Sequence, residues 1–481
     1  MQARYEQMGV QQVRSGSRRP ERSEHDRGGH HPTTLRHSVI RGGVPWRAIA
    51  AVGALGLLTL TGCGSSTVDD IKVGSGKGWQ SAFHDARNSG ASPVTGARHL
   101  SLSWSRPIGG PLANATTIGP DGQLFVTSRT TTDCVGKPGT TGMIFSFQMP
   151  TGRKRFCNAL GPDAVAAASA VDGASNVYVG DDGAVFSFNA LGQPRWRTPV
   201  AGVPVSVQFT HDGTVLSVSQ SGQVDVLDRQ TGDREVSTYQ VLGDPDFLAH
   251  PNVTRPADGQ GIDDCAVGGP QCAVANVSAL DPNSGRFYLT AWRTGAPAAS
   301  VVALHYADKK VTQDWSVDIL TDGSATSPTL SSDGKTLYVG DNSGRLLAVD
   351  TADGRTKWTQ PLGFAPRGGI SELDGLLIPG GDDGHLLALH DNGDRAEIAW
   401  ERKDLTLRGR PVQTAGDTGY VVVPMGDALH LLTFETKSGK TIASAALPGA
   451  QGTTVSTTIG PDGQVVVGTR IGELFAFTPD R

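Results

Sequence analysis

Five cysteines are spread over the 481 residues of this chain, and their spacing restricts what they can do. Cys134 and Cys157 form one local pair, Cys265 and Cys272 form another, and Cys63 stands alone behind an apolar run. Two pairs are the even remainder that an oxidising compartment allows. The rival chemistry for paired thiols is zinc ligation, but no His stands at ligand spacing from either pair, and two cysteines leave a structural zinc site incomplete. The expectation is two disulfides, Cys134–Cys157 and Cys265–Cys272, and no metal site.

Arginine carries the second chemistry. Arg367 in "APRGGIS", with Arg408 and Arg410 in "LRGRPVQT", presents guanidinium forks of the kind that dock a carboxylate bidentately. The competing reading is that each pairs with a nearby Asp or Glu, since the chain holds 47 acidic residues against 42 basic ones. The neighbours Asp263 and Asp264 would ligate a cation only if carboxylates arrived from elsewhere, and alone they read as turn residues. No G-x-S-x-G elbow, H-E-x-x-H helix or Walker loop is present, and the glycine-rich tracts fall at turns. No catalytic residue is nominated.

The elements that would position these residues repeat along the chain. Thr326 to Gly363 reads as three short apolar runs, each bounded by Asp, Asn, Ser or Gly, followed by a Trp-bearing run: four antiparallel strands joined by tight turns. Its first turn recurs at Asp121, Asp172, Asp212, Asn283, Asp333, Asp374, Asp417 and Asp462, mostly 40 to 51 residues apart, which gives eight units. The one wide gap holds an insertion at about 241–273, long enough to carry recognition. Four strands per period of this length predict an all-β, eight-bladed β-propeller. The last unit ends at "LFAFTPDR" without a Trp strand, while "WSRPIGG" at Trp104 to Gly110 has no unit of its own. The N-terminal strand is therefore expected to complete the last blade, which makes neighbours of the two copies of "TTIGPDGQ" at Thr116 and Thr457. Compared through the turns, Arg367 and Arg410 fall where the innermost strands of blades six and seven begin, at one mouth of the channel.

The segment "AVDTADGRTKW", Ala348 to Trp358, resembles the A-x-D-x-x-x-G-x-x-x-W repeat of pyrroloquinoline quinone (PQQ) type propellers, with degenerate copies in "SFQMPTGRKRF" and "VLDRQTGDREV". "GWQSAFHDARNSGAS", Gly78 to Ser92, is similar to the lead-in that precedes such propellers. For the enzymes of that family the resemblance implies PQQ over a Trp floor with an adjacent Cys-Cys disulfide, calcium-binding carboxylates and a catalytic Asp at the centre of the ring. This chain has no adjacent cysteines, so no cofactor is expected, and PQQ with calcium lacks supporting site residues. A scaffold fits better: a lipid-anchored propeller of this repeat type resembles the BamB envelope assembly factors. The alternative is a quinoprotein-type dehydrogenase acting on an alcohol or sugar.

The chain start bears on location. Residues 1–62 read as a signal region, with 1–45 disordered or preceding a true start near Val39 or Val44, and "LTGC" at Leu60 to Cys63 matches the bacterial lipobox. The match implies diacylglyceryl attachment at Cys63, a lipidated tether over 63–77 and a propeller over 78–481. Processing at Cys63 leaves 33 Lys and Arg against 43 Asp and Glu, too acidic for broad nucleic-acid binding. The expected protein is a monomer on the extracytoplasmic face of a bacterial membrane, held there by lipid, with a protein or envelope-polymer partner. Cys63→Ser is predicted to move it from the membrane fraction to the soluble fraction, since stable anchoring needs two or more acyl chains. Unchanged fractionation, or an intact mass without lipid, would contradict the anchor.

Overall fold

In blade five, strand Thr329–Leu330 pairs antiparallel with Thr336–Gly340, which pairs with Arg345–Asp350, which pairs with Thr356–Pro361. The turns between them place Gly334, Gly344 and Gly354 at φ of 72°, 88° and 79°, conformations that a side chain reaches only under strain. This computed structural model describes residues 71–480 apart from 75, 162–166, 255, 256 and 258. Within them the strands form eight such sheets, seven of four strands and one of five. Cys63, the signal region and most of the tether lie outside the described residues.

Inner strands run from an upper face, where successive blades connect, to a lower face, where the Asp-Gly turns lie. Apolar side chains from facing sheets form the layers between blades. Tyr338, Leu346 and Trp358 of blade five, for example, pack against Ile370, Leu377 and Leu389 of blade six.

On five blades a Trp of the outer strand then clips the blade to the next. The Trp104 indole donates to Met149 O (2.7 Å), Trp196 to Arg229 O (3.0 Å), Trp315 to Thr351 O (3.0 Å) and Trp400 to Thr436 O (2.7 Å). The rings of Trp104 and Trp400 lie so close over Gly152 and Gly439 of the following blade that an added Cβ would come within 2.6 and 2.5 Å of them. Trp358 reaches the Asp391 carboxylate instead (2.8 Å), because that turn of blade six is shorter and carries its glycine, Gly393, two residues after the Asp instead of four.

The ring closes as the sequence predicts. Leu100–Pro107 runs antiparallel to Glu473–Pro479, from Leu100 opposite Pro479 to Pro107 opposite Glu473, and so supplies the outer strand of blade eight. The twin octapeptides meet across the seam, with Thr116 Oγ1 2.8 Å from Thr458 Oγ1. Both disulfides are present, with Cα separations of 5.7 Å for Cys134–Cys157 and 4.9 Å for Cys265–Cys272.

Deleting Leu102 to Gly110 is predicted to lower the melting temperature far more than deleting Gln2 to Arg36, although the first segment is shorter. The first deletion opens the edge of blade eight and removes the Trp104 clip to blade one. Equal melting temperatures would contradict closure by this strand.

Candidate functional site

Eight inner strands leave their edges facing the central axis, and those backbone groups need partners. One continuous stretch, Trp79 to Gly90, supplies them to six blades and bonds to a side chain of a seventh. Trp79 exchanges two hydrogen bonds with Ile118 in blade one, and Gln80 O accepts from Val171 N–H in blade two. Asn88 Oδ1 accepts from Gln208 of blade three, and its Nδ2 donates to Val277 O and Pro328 O of blades four and five. Ala86, Arg87, Ser89 and Gly90 carbonyls accept from Leu280, Leu330, Glu372 and Gln413 of blades four to seven. Ala91–Thr95 then runs parallel to Val412–Ala415 as the fifth strand of blade seven. Trp79 is fully buried.

Charge holds this plug as well. Arg87 lies 3.2 Å from the buried Glu372 carboxylate and 3.4 Å from Asp85, whose other oxygen accepts the Ser89 N–H at 2.9 Å. Burial alone would raise the Asp85 carboxyl, but His84, Arg87 and that N–H outweigh it and hold the group down at about 2. Glu372 is pushed the other way, upward, by burial.

The plug seals the lower half of the channel and leaves a blind funnel of ≈ 410 Å³ that opens at the upper face. Ala82 and Phe83 form its floor, and Arg367, Arg410 and Arg470 line it against the carboxylates of Asp263 and Asp382. Arg410 is buried. One of its Nη groups donates to Ala82 O, its guanidinium stands 4.1 Å from the centre of the Phe83 ring, and its Nε has no acceptor. Burial lowers its pKa to about 9, which leaves it cationic at neutral pH. An added Cβ at Gly369 would meet Phe83 at 2.3 Å, and one at Gly380 would meet Arg410 at 2.7 Å, so both glycines are needed for this close approach. Among the described residues no carboxylate lies within ion-pair distance of Arg367 or Arg410.

The structure thus brings Arg367 and Arg410 together in one cavity. It puts Arg408 elsewhere, outside the funnel lining and ion-paired with Asp383. The insertion converges on the same funnel: its one-turn helix Ile262–Cys265 places Asp263 and Cys265 on the wall. Asp264 instead accepts the Gln271 N–H at 2.7 Å and braces the disulfide loop as a turn residue. Val267 O accepts from Asn342 at 2.8 Å, and Gly268 sits so tightly on Ser324 O that no Cβ fits.

Two features were not foreseen from the sequence. The plug has neither helical nor strand period, so nothing in its pattern marks an axial path. Arg470 occupies the turn position held by Asn342 in blade five, and blade-by-blade alignment of that turn would have found it.

Asp85→Asn is predicted to lower stability at pH 7 by about 2 kcal/mol or less. A depressed carboxyl stabilises above its unfolded pKa and loses that contribution as pH falls toward its folded value. The gap in urea midpoint between wild type and variant therefore narrows below about pH 4. A gap that stays constant from pH 7 to 3 would contradict the network.

Comparisons with known proteins agree with the fold. The family model for outer membrane protein assembly factor BamB matches residues 273–478. Protein Rv3035 of Mycobacterium tuberculosis is 34% identical over 427 residues, which is 87% of this chain and the whole of that protein. Among solved structures, BamB from Moraxella catarrhalis aligns with a TM-score of 0.54 at 18% identity, covering 79% of this chain and all of the other. A quinohemoprotein alcohol dehydrogenase from Comamonas testosteroni aligns at 0.57 and 14%, covering 83% and 80%. At those identities the two structures speak to fold alone. The funnel does not fit the quinone and calcium that the second likeness brings to mind. Its floor is a cation on a Phe ring, Asp382 faces Arg470 at 4.0 Å, and among the described residues no three His, Cys, Asp or Glu side chains gather as metal ligands.

Proposed function

This chain belongs to the same family as protein Rv3035 of Mycobacterium tuberculosis, a PQQ-like β-propeller resembling BamB, and on that footing we propose that it is an extracytoplasmic, lipid-anchored scaffold holding a protein partner at its funnel. One observation carries the reading: the blind funnel gathers two arginines with no carboxylate partner beneath an insertion pinned by its own disulfide. A rigid ring with a prepared cationic cavity suits binding, and nothing in the lining supplies a nucleophile or general base oriented by a third group.

Further features support a protein partner in the envelope. Two disulfides suit an oxidising compartment. The matching family model is named for an outer membrane protein assembly factor, BamB, and a name of that kind belongs to an envelope protein. Exposed apolar side chains crown the upper turns of three consecutive blades, Met425 in blade seven, Ile471 in blade eight and Val135 in blade one. Exposed apolar side chains grouped beside a cavity suit contact with a protein surface. The chain approaches from the opposite side, where Lys72 O accepts from Gly173 N–H at a lower turn of blade two.

The test uses a photoreactive amino acid placed in living cells at Ile471 on the rim or at Leu191 on a lower turn. The expected outcome is a discrete adduct with one envelope protein from the rim position alone. No rim adduct from folded protein, or the same adducts from both positions, would overturn the scaffold reading.

A further inference from the structure

We infer that the funnel floor is a binding site for a carboxylate carried on an apolar body, the chemistry shared by the C-terminal residue of a polypeptide and a small free acid. The inference rests on the scaffold reading and names what the cavity takes. Arg410 is only 7% exposed, and its Nε meets no acceptor. A guanidinium buried without a counter-ion is costly, and the ring face of Phe83 with one carbonyl compensates it only in part. Arg367, half-buried on the same cavity, likewise has no side-chain hydrogen bond or ion pair among the described residues. A carboxylate answers both through charge-assisted, bidentate bonds.

The walls specify the rest of the ligand. Leu112, Val205, Val277 and Val455 surround the floor, so the body behind the carboxylate is apolar. The plug decides the topology: a chain cannot thread through a channel closed by Trp79 to Gly90, so only an end or a small molecule reaches the arginines. A volume of ≈ 410 Å³ lies in the range of ligand pockets and holds a terminal residue or two.

The experiment measures anisotropy of an N-terminally labelled pentapeptide, Ser-Gly-Ser-Val-Leu, on the folded mature protein. Its free-acid form is compared with its C-terminal amide, and N-acetyl-leucine serves as competitor. The expected result is binding of the acid, binding of the amide at least ~10-fold weaker, and a loss of more than ~10-fold in Arg410→Met and in Arg367→Ala. Arg410→Met keeps the packing on Phe83 and removes an unpaired buried charge, so it should melt no lower than wild type. If it melts lower because Arg410 chiefly anchors the plug, Arg367→Ala decides the matter.

Equal binding of acid and amide, no binding of the acid, or full binding by these folded variants would each overturn the proposal. N-acetyl-leucine competing on equal terms identifies a free acid, and competition more than ~10-fold weaker identifies a polypeptide end. Rim adducts that persist while acid and amide bind equally would remove this inference and leave the scaffold. Carboxylate binding without rim adducts would do the reverse.

Discussion

A propeller of eight blades leaves an axis on which no inner strand has a neighbour, and the backbone groups there must be satisfied by something. In this protein Trp79 to Gly90 answers that constraint, bonding to seven blades in turn before the chain joins blade seven as a parallel strand. The same stretch ties the two ends of the fold together, because beyond that blade-seven strand the chain continues into Leu100–Pro107, which completes blade eight. It also creates the funnel, since a sealed lower half leaves a cavity with one opening and a floor of Ala82 and Phe83. Architecture and site therefore share one cause.

Much of this was legible in the residues. Turn signals at Asp121 through Asp462 fixed the number of blades, and the unmatched Trp104 strand fixed the closure, because strand period and turn chemistry are local properties. Cysteine spacing yielded both disulfides. The axial path was not legible. Asn88, at φ 58°, bonds to blades up to 240 positions away, and no local pattern encodes that. The arginines illustrate the boundary. Register placed Arg367 and Arg410 at the channel, whereas Arg408 turns to Asp383 because it still belongs to the outer strand Ala396–Gly409 of blade six, opposite Asp382, and the chain leaves that strand before Arg410.

The fold is shared with proteins of different names, so the fold alone does not assign the chemistry. A quinohemoprotein alcohol dehydrogenase and a BamB align over similar lengths of this chain. In this chain a cation stacks on an aromatic ring at the bottom of the funnel, and the insertion docks on its wall. The disulfide-braced insertion and the plug both present their polar groups to fixed partners, so the cavity is formed before any ligand arrives.

The account stands or falls on the plug, and amide hydrogen exchange reads it directly. The N–H groups of Trp79, Gln80, Ser89 and Gly90 are each hydrogen-bonded, so peptides covering 79–90 should exchange as slowly as peptides covering the inner strands they join. Complete exchange within seconds at neutral pH, as in a free linker, would mean that the channel is open at both ends and that the funnel has no floor.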